Sequence, residues 1–318
     1  MNVGWAISEF NQKNGIRSPI SIEDIANFFR KLKDALESRD INAQIIANYL
    51  HYNIASEQRR KRKVTARDFE DFIALVFGGK VMDNESRKNE ISVELKNVED
   101  YISKYVASNR REKMDINFGK FGISVKTFVP DNKEINMGSF AREALFYKFL
   151  SQKEYGGERK AGLGSKPQML SLFKKIKDSG KWDEFSQRYG AMVNNIFVDD
   201  ILNVVKGGNY LDIYVLSGKD FRKLMINKLI KGPDSAVSII NRYEGNSIRI
   251  NRDPVFSTSE LIRFDFTKID DSKLQEISAS FEVMEKAVFE NLNNRKSVSD
   301  LNKALISSIE KIMKLVKQ

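Results

Sequence analysis

The chain has no cysteine and a single histidine, His51, among its 318 residues. Without cysteine there is no disulfide, no thiolate nucleophile and no cysteine-held zinc or iron–sulfur site. One histidine excludes any mechanism that needs two. A Ser-His-Asp triad would have to run through His51, which sits in a helical pattern beside Tyr49 and Tyr52. No run of about 18 apolar residues occurs, so no transmembrane helix is expected. The opening residues, Met1 to Trp5, carry neither the basic start nor the apolar run of a secretory leader, and none is expected. Internal repeats and low-complexity linkers are also missing.

What is present is charge and apolar bulk. Lys and Arg number 53 against 43 Asp and Glu, a formal net charge of +10, while 41% of residues are hydrophobic and 10% aromatic. That is enough apolar surface for a packed core, and the length suits one large domain or two modest ones. A basic surplus favours a polyanionic partner, either nucleic acid or an acidic membrane surface. The same surplus also arises in soluble proteins of AT-rich genomes, whose Lys, Asn and Ile usage this chain shares. Charge alone therefore leaves the partner open. A membrane surface is the weaker reading, because the basic runs do not coincide with an aromatic-rich amphipathic helix.

Residues 21–52 read as two helices, the first capped by Ser21 with Glu23 and Asp24 in its opening turn, then Ile25, Phe28, Phe29, Leu32 and Leu36 at helical spacing. Five consecutive cations follow, Arg59 to Lys63, including Arg60 and Lys61, suitable for phosphate contact. A third helix is expected from an N-cap at Thr65, through Phe69, Phe72, Ile73, Val76 and Phe77, to Gly78. Residues 97–107 also look helical. Between 113 and 129, Met114, Ile116 and Phe118 alternate with polar residues, Gly119-Lys120 marks a turn, and alternation resumes to Val129, which is a hairpin signature. Further on come a short strand at 135–140, a helix at 141–150, a glycine-rich basic loop at 151–167, and helices at 168–178 and 182–190. Strand-like runs lie at 196–205, 210–217, 236–242, 246–251 and 261–267. Two amphipathic helices fill 271–317.

The hairpin holds the chemistry. On a strand Ser124 and Lys126 share a face, because side chains alternate with period two. If the short turn brings Asp115 beside them, a carboxylate, a hydroxyl and an ammonium converge. Carboxylate oxygen suits Mg²⁺, and a lysine there can orient a water or neutralise a phosphate.

This pattern resembles the PD-(D/E)XK nuclease superfamily, and within it type II restriction endonucleases. The family core is an acid on one strand and Asp/Glu-X-Lys on the next, often with a glutamate on a preceding helix. Asp115 matches the first acid and Lys126 the lysine, while Ser124 departs from the pattern at the second acid. Ser124-Val125-Lys126-Thr127 is similar to the Ser-X-Lys-Ser/Thr of restriction enzymes that cut CCGG-containing sites, in which a following helix supplies the missing carboxylate. Glu143 is the candidate for that role, and Glu70 resembles the upstream helix glutamate. A second register, Asp83 with Glu94 and Lys96, is a literal Asp…Glu-X-Lys. The apolar flanks Phe121, Ile123, Val125 and Phe128 favour the Asp115 hairpin over it, and both stay open.

The resemblance implies an α/β (α+β) fold with a restriction-endonuclease-like mixed sheet flanked by helices. Residues 1–64 would form an N-terminal helical region, 65–268 the nuclease core with its DNA-recognition elements, and 269–318 a C-terminal helical region. It implies Mg²⁺-dependent cleavage of double-stranded DNA, with Asp115 and Glu143 on the metal and Lys126, Ser124 and Glu70 completing the site. It also implies a homodimer matching a palindromic target, a cognate DNA methyltransferase encoded nearby, and a bacterial or archaeal cytoplasm. Arginine and asparagine pair with guanine and adenine edges, so Arg242, Asn246, Arg249 and Arg252 are candidate DNA contacts, with Arg159 and Lys160 in the glycine-rich loop. A repair or junction-resolving nuclease of the same superfamily, and a non-catalytic basic DNA-binding protein, are the alternatives.

Overall fold

A computed structural model of the chain describes residues 3–82, 114–119, 121–140, 145–155, 166–244, 247–272, 274–275 and 310, with the backbone alone for Ser139 and Gln152. It opens with α1 (Val3–Asn14), α2 (Ile22–Glu37) and α3 (Ile41–Leu50), the last running into a π-turn at His51–Ala55. Local chemistry fixes these starts. The Asp24 carboxylate accepts from the Ser21 backbone amide at 3.0 Å, and Asp40 accepts from the amides of Asn42 and Ala43 at 3.0 and 3.1 Å, which satisfies otherwise orphaned donors. Helix α4 (Val64–Phe77) ends at Gly78 in the left-handed region, φ 73°. It begins two residues earlier than an N-cap at Thr65 would have it, with Lys63 at the N-cap position. Thr65 is instead buried in the first turn, where its hydroxyl donates to the Arg62 carbonyl at 2.8 Å and accepts from Lys206 at 2.5 Å.

The architecture is mixed α/β. A six-stranded sheet has the order β1 (Lys80–Val81), β2 (Ile116–Asn117), β3 (Gly122–Phe128), β5 (Asp200–Lys206), β6 (Tyr210–Leu216) and β9 (Glu260–Asp265). Neighbours are antiparallel except β3 and β5, which run parallel and need the long crossover between them. That crossover carries β4 (Glu134–Ser139), a helical turn at Gln152–Tyr155, α5 (Lys166–Asp178) and α6 (Trp182–Ile196). After β6 come α7 (Gly218–Ile230), α8 (Pro233–Ile239), β7 (Ile240–Glu244), β8 (Ser247–Asn251) and α9 (Arg252–Phe256). Strands β4, β8 and β7 form a second, antiparallel three-stranded sheet.

Alternation along the strands separates two cores. Ile123 and Val125 of β3, with Leu202 and Val204 of β5, join one apolar cluster with α1 to α4. Phe128, Ile201 and Val205 join a second cluster with α5, α6, α7, α8 and the small sheet. The N-terminal helices thus cover one face of the large sheet, and the crossover helices with the small sheet cover the other. One expected strand is helical in its first half: residues 236–239 are the end of α8, and β7 begins at Ile240. Pro233 in its opening turn favours a helix start, and Ala236, Val237 and Ile239 bury as a helical face. A short apolar run does not distinguish the two by itself.

Candidate active site

Asp115 lies just ahead of β2 and is fixed by backbone bonds on both sides. Its amide donates to the Ile123 carbonyl at 2.8 Å, and its carbonyl accepts from the Met82 amide at 2.9 Å. The hairpin turns through Gly119 at φ 90°. At Gly122 a Cβ would run into the Met114 side chain, which would have to move aside. This geometry delivers three donors to one carboxylate oxygen. Oδ2 of Asp115 accepts from Ser124 Oγ at 3.1 Å, from the Val125 amide at 2.7 Å and from Lys126 Nζ at 2.9 Å. Lys126 Nζ also reaches the Val125 carbonyl at 3.0 Å. Asp115 and Ser124 are buried, at 8% and 5% exposure, while the Lys126 side chain keeps 21%. Bonds of this length hold the lysine aimed at the carboxylate.

The structure thus brings Asp115, Ser124 and Lys126 together. Glu70 sits on α4, which packs against the Ile123–Val125 face and not the Ser124–Lys126 face, and lies 3.7 Å from Arg67. Glu143, Asn246, Arg159, Lys160 and the whole second register of Asp83, Glu94 and Lys96 lie outside the described residues. So does nearly all of the expected C-terminal helical region. Within the basic run, Arg60 bonds Glu57 at 2.7 Å and Arg59 lies 3.6 Å from Asp68, while Lys61, Arg62 and Lys63 are exposed.

The arginines of the small sheet are already engaged. Arg242 grips Glu134 with two bonds of 2.9 Å, from Nε and Nη2, and Asn241 bonds the same carboxylate. Arg242 holds the Glu134 carboxyl below its usual range. Arg249 pairs with Glu244 at 2.8 Å. Arg252 donates to the Pro130 carbonyl at 2.7 Å and lies over the Phe256 ring.

Among the described residues no cluster of three or more His, Cys, Asp or Glu side chains forms a metal cage. One carboxylate beside a hydroxyl still fits Mg²⁺, which is held through one or two carboxylates with waters and substrate phosphate oxygens completing its shell. No helix among the described residues is long and apolar enough to cross a membrane.

Two polar groups escape a reading of the sequence. Asn203 on β5 is fully buried, and among the described residues neither Nδ2 nor Oδ1 has a hydrogen-bond partner. Its signal is a lone amide inside the apolar run Ile201 to Val205. Lys206, at the end of the same strand, is 4% exposed, and burial pushes its pKa down to about 8. A lysine at a strand end gives no such warning.

Neither a protein-family model nor a curated protein matches the chain. Among solved structures the chain is similar to one described as a restriction endonuclease in complex with substrate DNA. That similarity has a TM-score of 0.32 and 11% identity, and it covers 76% of this chain and 89% of the other.

Proposed function

We propose that the protein is a Mg²⁺-dependent type II restriction endonuclease that hydrolyses phosphodiester bonds at specific sequences in double-stranded DNA. One observation carries the reading: Ser124 and Lys126 on one strand converge on Asp115 of its neighbour, with Nζ 2.9 Å from Oδ2. A buried carboxylate, a hydroxyl and a directed ammonium are what metal-assisted hydrolysis of a phosphodiester needs, and neither cysteine nor a second histidine is required.

Asp115 would hold Mg²⁺, with Glu143 as the second carboxylate; Glu70, on the helix that covers the other face of the sheet, is not given that role. The ion, when bound, supplies Lewis-acid polarisation of the phosphate and a more acidic water. Lys126 donates hydrogen bonds that orient the attacking water or a non-bridging phosphate oxygen. Ser124, donating to Oδ2, holds the Asp115 carboxylate in place. A new P–O bond forms to the water oxygen as the P–O bond to the leaving sugar oxygen breaks, leaving a phosphomonoester and a free hydroxyl. The exposed cations at 61–63 would track phosphates. Arg242 and Arg249 would reach bases only by leaving Glu134 and Glu244. A palindromic target would be read by two copies of the chain.

Plasmid digestion tests the proposal. Discrete fragments with Mg²⁺, and none with EDTA, are expected. Nicks or smears would point to a repair or junction-resolving nuclease. Tight, salt-dependent binding with no cleavage would point to a non-catalytic DNA-binding protein.

A further inference from the structure

Asn203 is the one residue beside the Asp115–Lys126 pair whose burial has no evident return. Its side chain is fully buried, and among the described residues neither polar atom has a partner. Apolar side chains fill the rest of this strand from Ile201 to Val205, and a valine or leucine would fit the pattern without leaving an amide unsatisfied. Buried polar groups of this kind call for a partner in some state of the molecule.

The register identifies that partner. In the parallel ladder Asn203 stands directly opposite Lys126, and Ser124 stands opposite Ile201. Leu202 and Val125 point into the N-terminal core, so Asn203 and Lys126 share the other face of the sheet. On its far side Asn203 is opposite Tyr214, whose ring stacks on Phe256 at 3.8 Å between centroids. Aromatic packing thus closes one flank of Asn203 and leaves the lysine at the other. Neighbouring strands lie about 4.8 Å apart, well within the reach of a lysine side chain.

Lys126 now spends its ammonium on Asp115 Oδ2 and the Val125 carbonyl. A divalent cation on Asp115 would compete for that carboxylate and repel the ammonium. We propose that Asn203 is a positioning residue for Lys126: its side-chain carbonyl accepts the ammonium once Asp115 is committed to a cation, which gives Lys126 two defined positions, one over β2 and one over β5. The inference rests on the nuclease reading for its purpose, though not for its first test.

That test needs neither metal nor DNA. Asn203→Leu is made in the full chain and in an Asp115→Asn background, which weakens the lysine's present partner, and thermal midpoints are measured. In the parent, Asn203→Leu should raise the midpoint, because two orphaned polar atoms are removed. In the Asp115→Asn background the same change should lower it, because it removes the position Lys126 falls back on. A rise of equal size in both backgrounds would make Asn203 a mere orphan. A fall of equal size in both would mean that it holds a buried water. Either result overturns the proposal.

A second arm uses plasmid cleavage. Asn203→Leu should lower kcat about tenfold or more, the worth of a hydrogen bond to a charged group, with KM for DNA unchanged. Unchanged kcat in a variant that remains folded would overturn the proposal. If the parent cuts no DNA under any condition, the nuclease reading fails while the sign change in thermal midpoint still decides the role of Asn203.

Discussion

Lys126 and Lys206 lie on adjacent parallel strands and face opposite sides of one sheet, yet they meet different fates. Lys126 has a carboxylate at 2.9 Å and a side chain that keeps 21% exposure. Lys206 is 4% exposed, and its ammonium bonds the Thr65 hydroxyl. Burial pushes the Lys206 pKa down to about 8, with the negative charge of Asp68 opposing the shift only in part. An aimed and reachable lysine is material for catalysis. A lysine sealed against α4 burdens the fold, since a buried ammonium is costly without a full counter-charge.

Replacing each lysine with methionine puts the contrast to work. Lys126→Met should cut the DNA cleavage rate by about 10²- to 10⁴-fold, the usual worth of a positioned proton-bearing side chain, with little loss of DNA binding. If Lys126→Met cleaves at the parent rate, the contrast between the two lysines collapses. Lys206→Met should leave cleavage intact and stabilise the fold by about 3 kcal/mol at neutral pH, the cost implied by a depression from 10.5 to about 8. Denaturant titration measures this directly.

The pH dependence sharpens the same point. Below about pH 8 the ammonium is protonated in both the folded and unfolded chain, and the burial cost is fully present. Between about pH 8 and 10.5 the unfolded chain binds the proton more tightly than the folded one, so stability rises with pH across that window. Subtracting the Lys206→Met profile from that of the parent should isolate this rise. Identical slopes for the two proteins would show that Lys206 is not desolvated.

The smallest effect belongs to the small sheet. Glu134→Gln should cost about 1 kcal/mol, since its arginine partner is part-exposed. The Glu134 pKa is lowered from 4.5 chiefly by its bond to Arg242. The pair's contribution is therefore present above about pH 4.5 and is lost as pH falls through the lower folded value. Glu134→Gln should also loosen Arg242, which keeps Glu244 at 3.5 Å, and a rise in DNA affinity that is lost on adding Arg242→Gln would identify Arg242 as a latent DNA contact.

Legibility followed the range of the interactions. The α2 start and the Asp115 hairpin are readable because caps and period-two alternation are local signals. Helix α7 carries a local start signal of the same kind, Ser217-x-x-Asp220, in which the serine hydroxyl accepts from the Asp220 amide at 3.0 Å. The state of the arginines was not readable. Arg242 meets a glutamate 108 residues away, and no local pattern announces such a pair. The convergence of Asp115, Ser124 and Lys126 was legible because a single short turn joins their strands. The place of Asn203 beside Lys126 was not, because the register of β3 against β5 is set across a long crossover.

The central claim is that Asp115 and Lys126 form one catalytic unit acting on DNA. Its most direct test is plasmid cleavage by Asp115→Ala in Mg²⁺ alongside plasmid binding by the same variant in Ca²⁺. The account predicts no fragments together with binding that is retained. Cleavage by Asp115→Ala at the parent rate would contradict it.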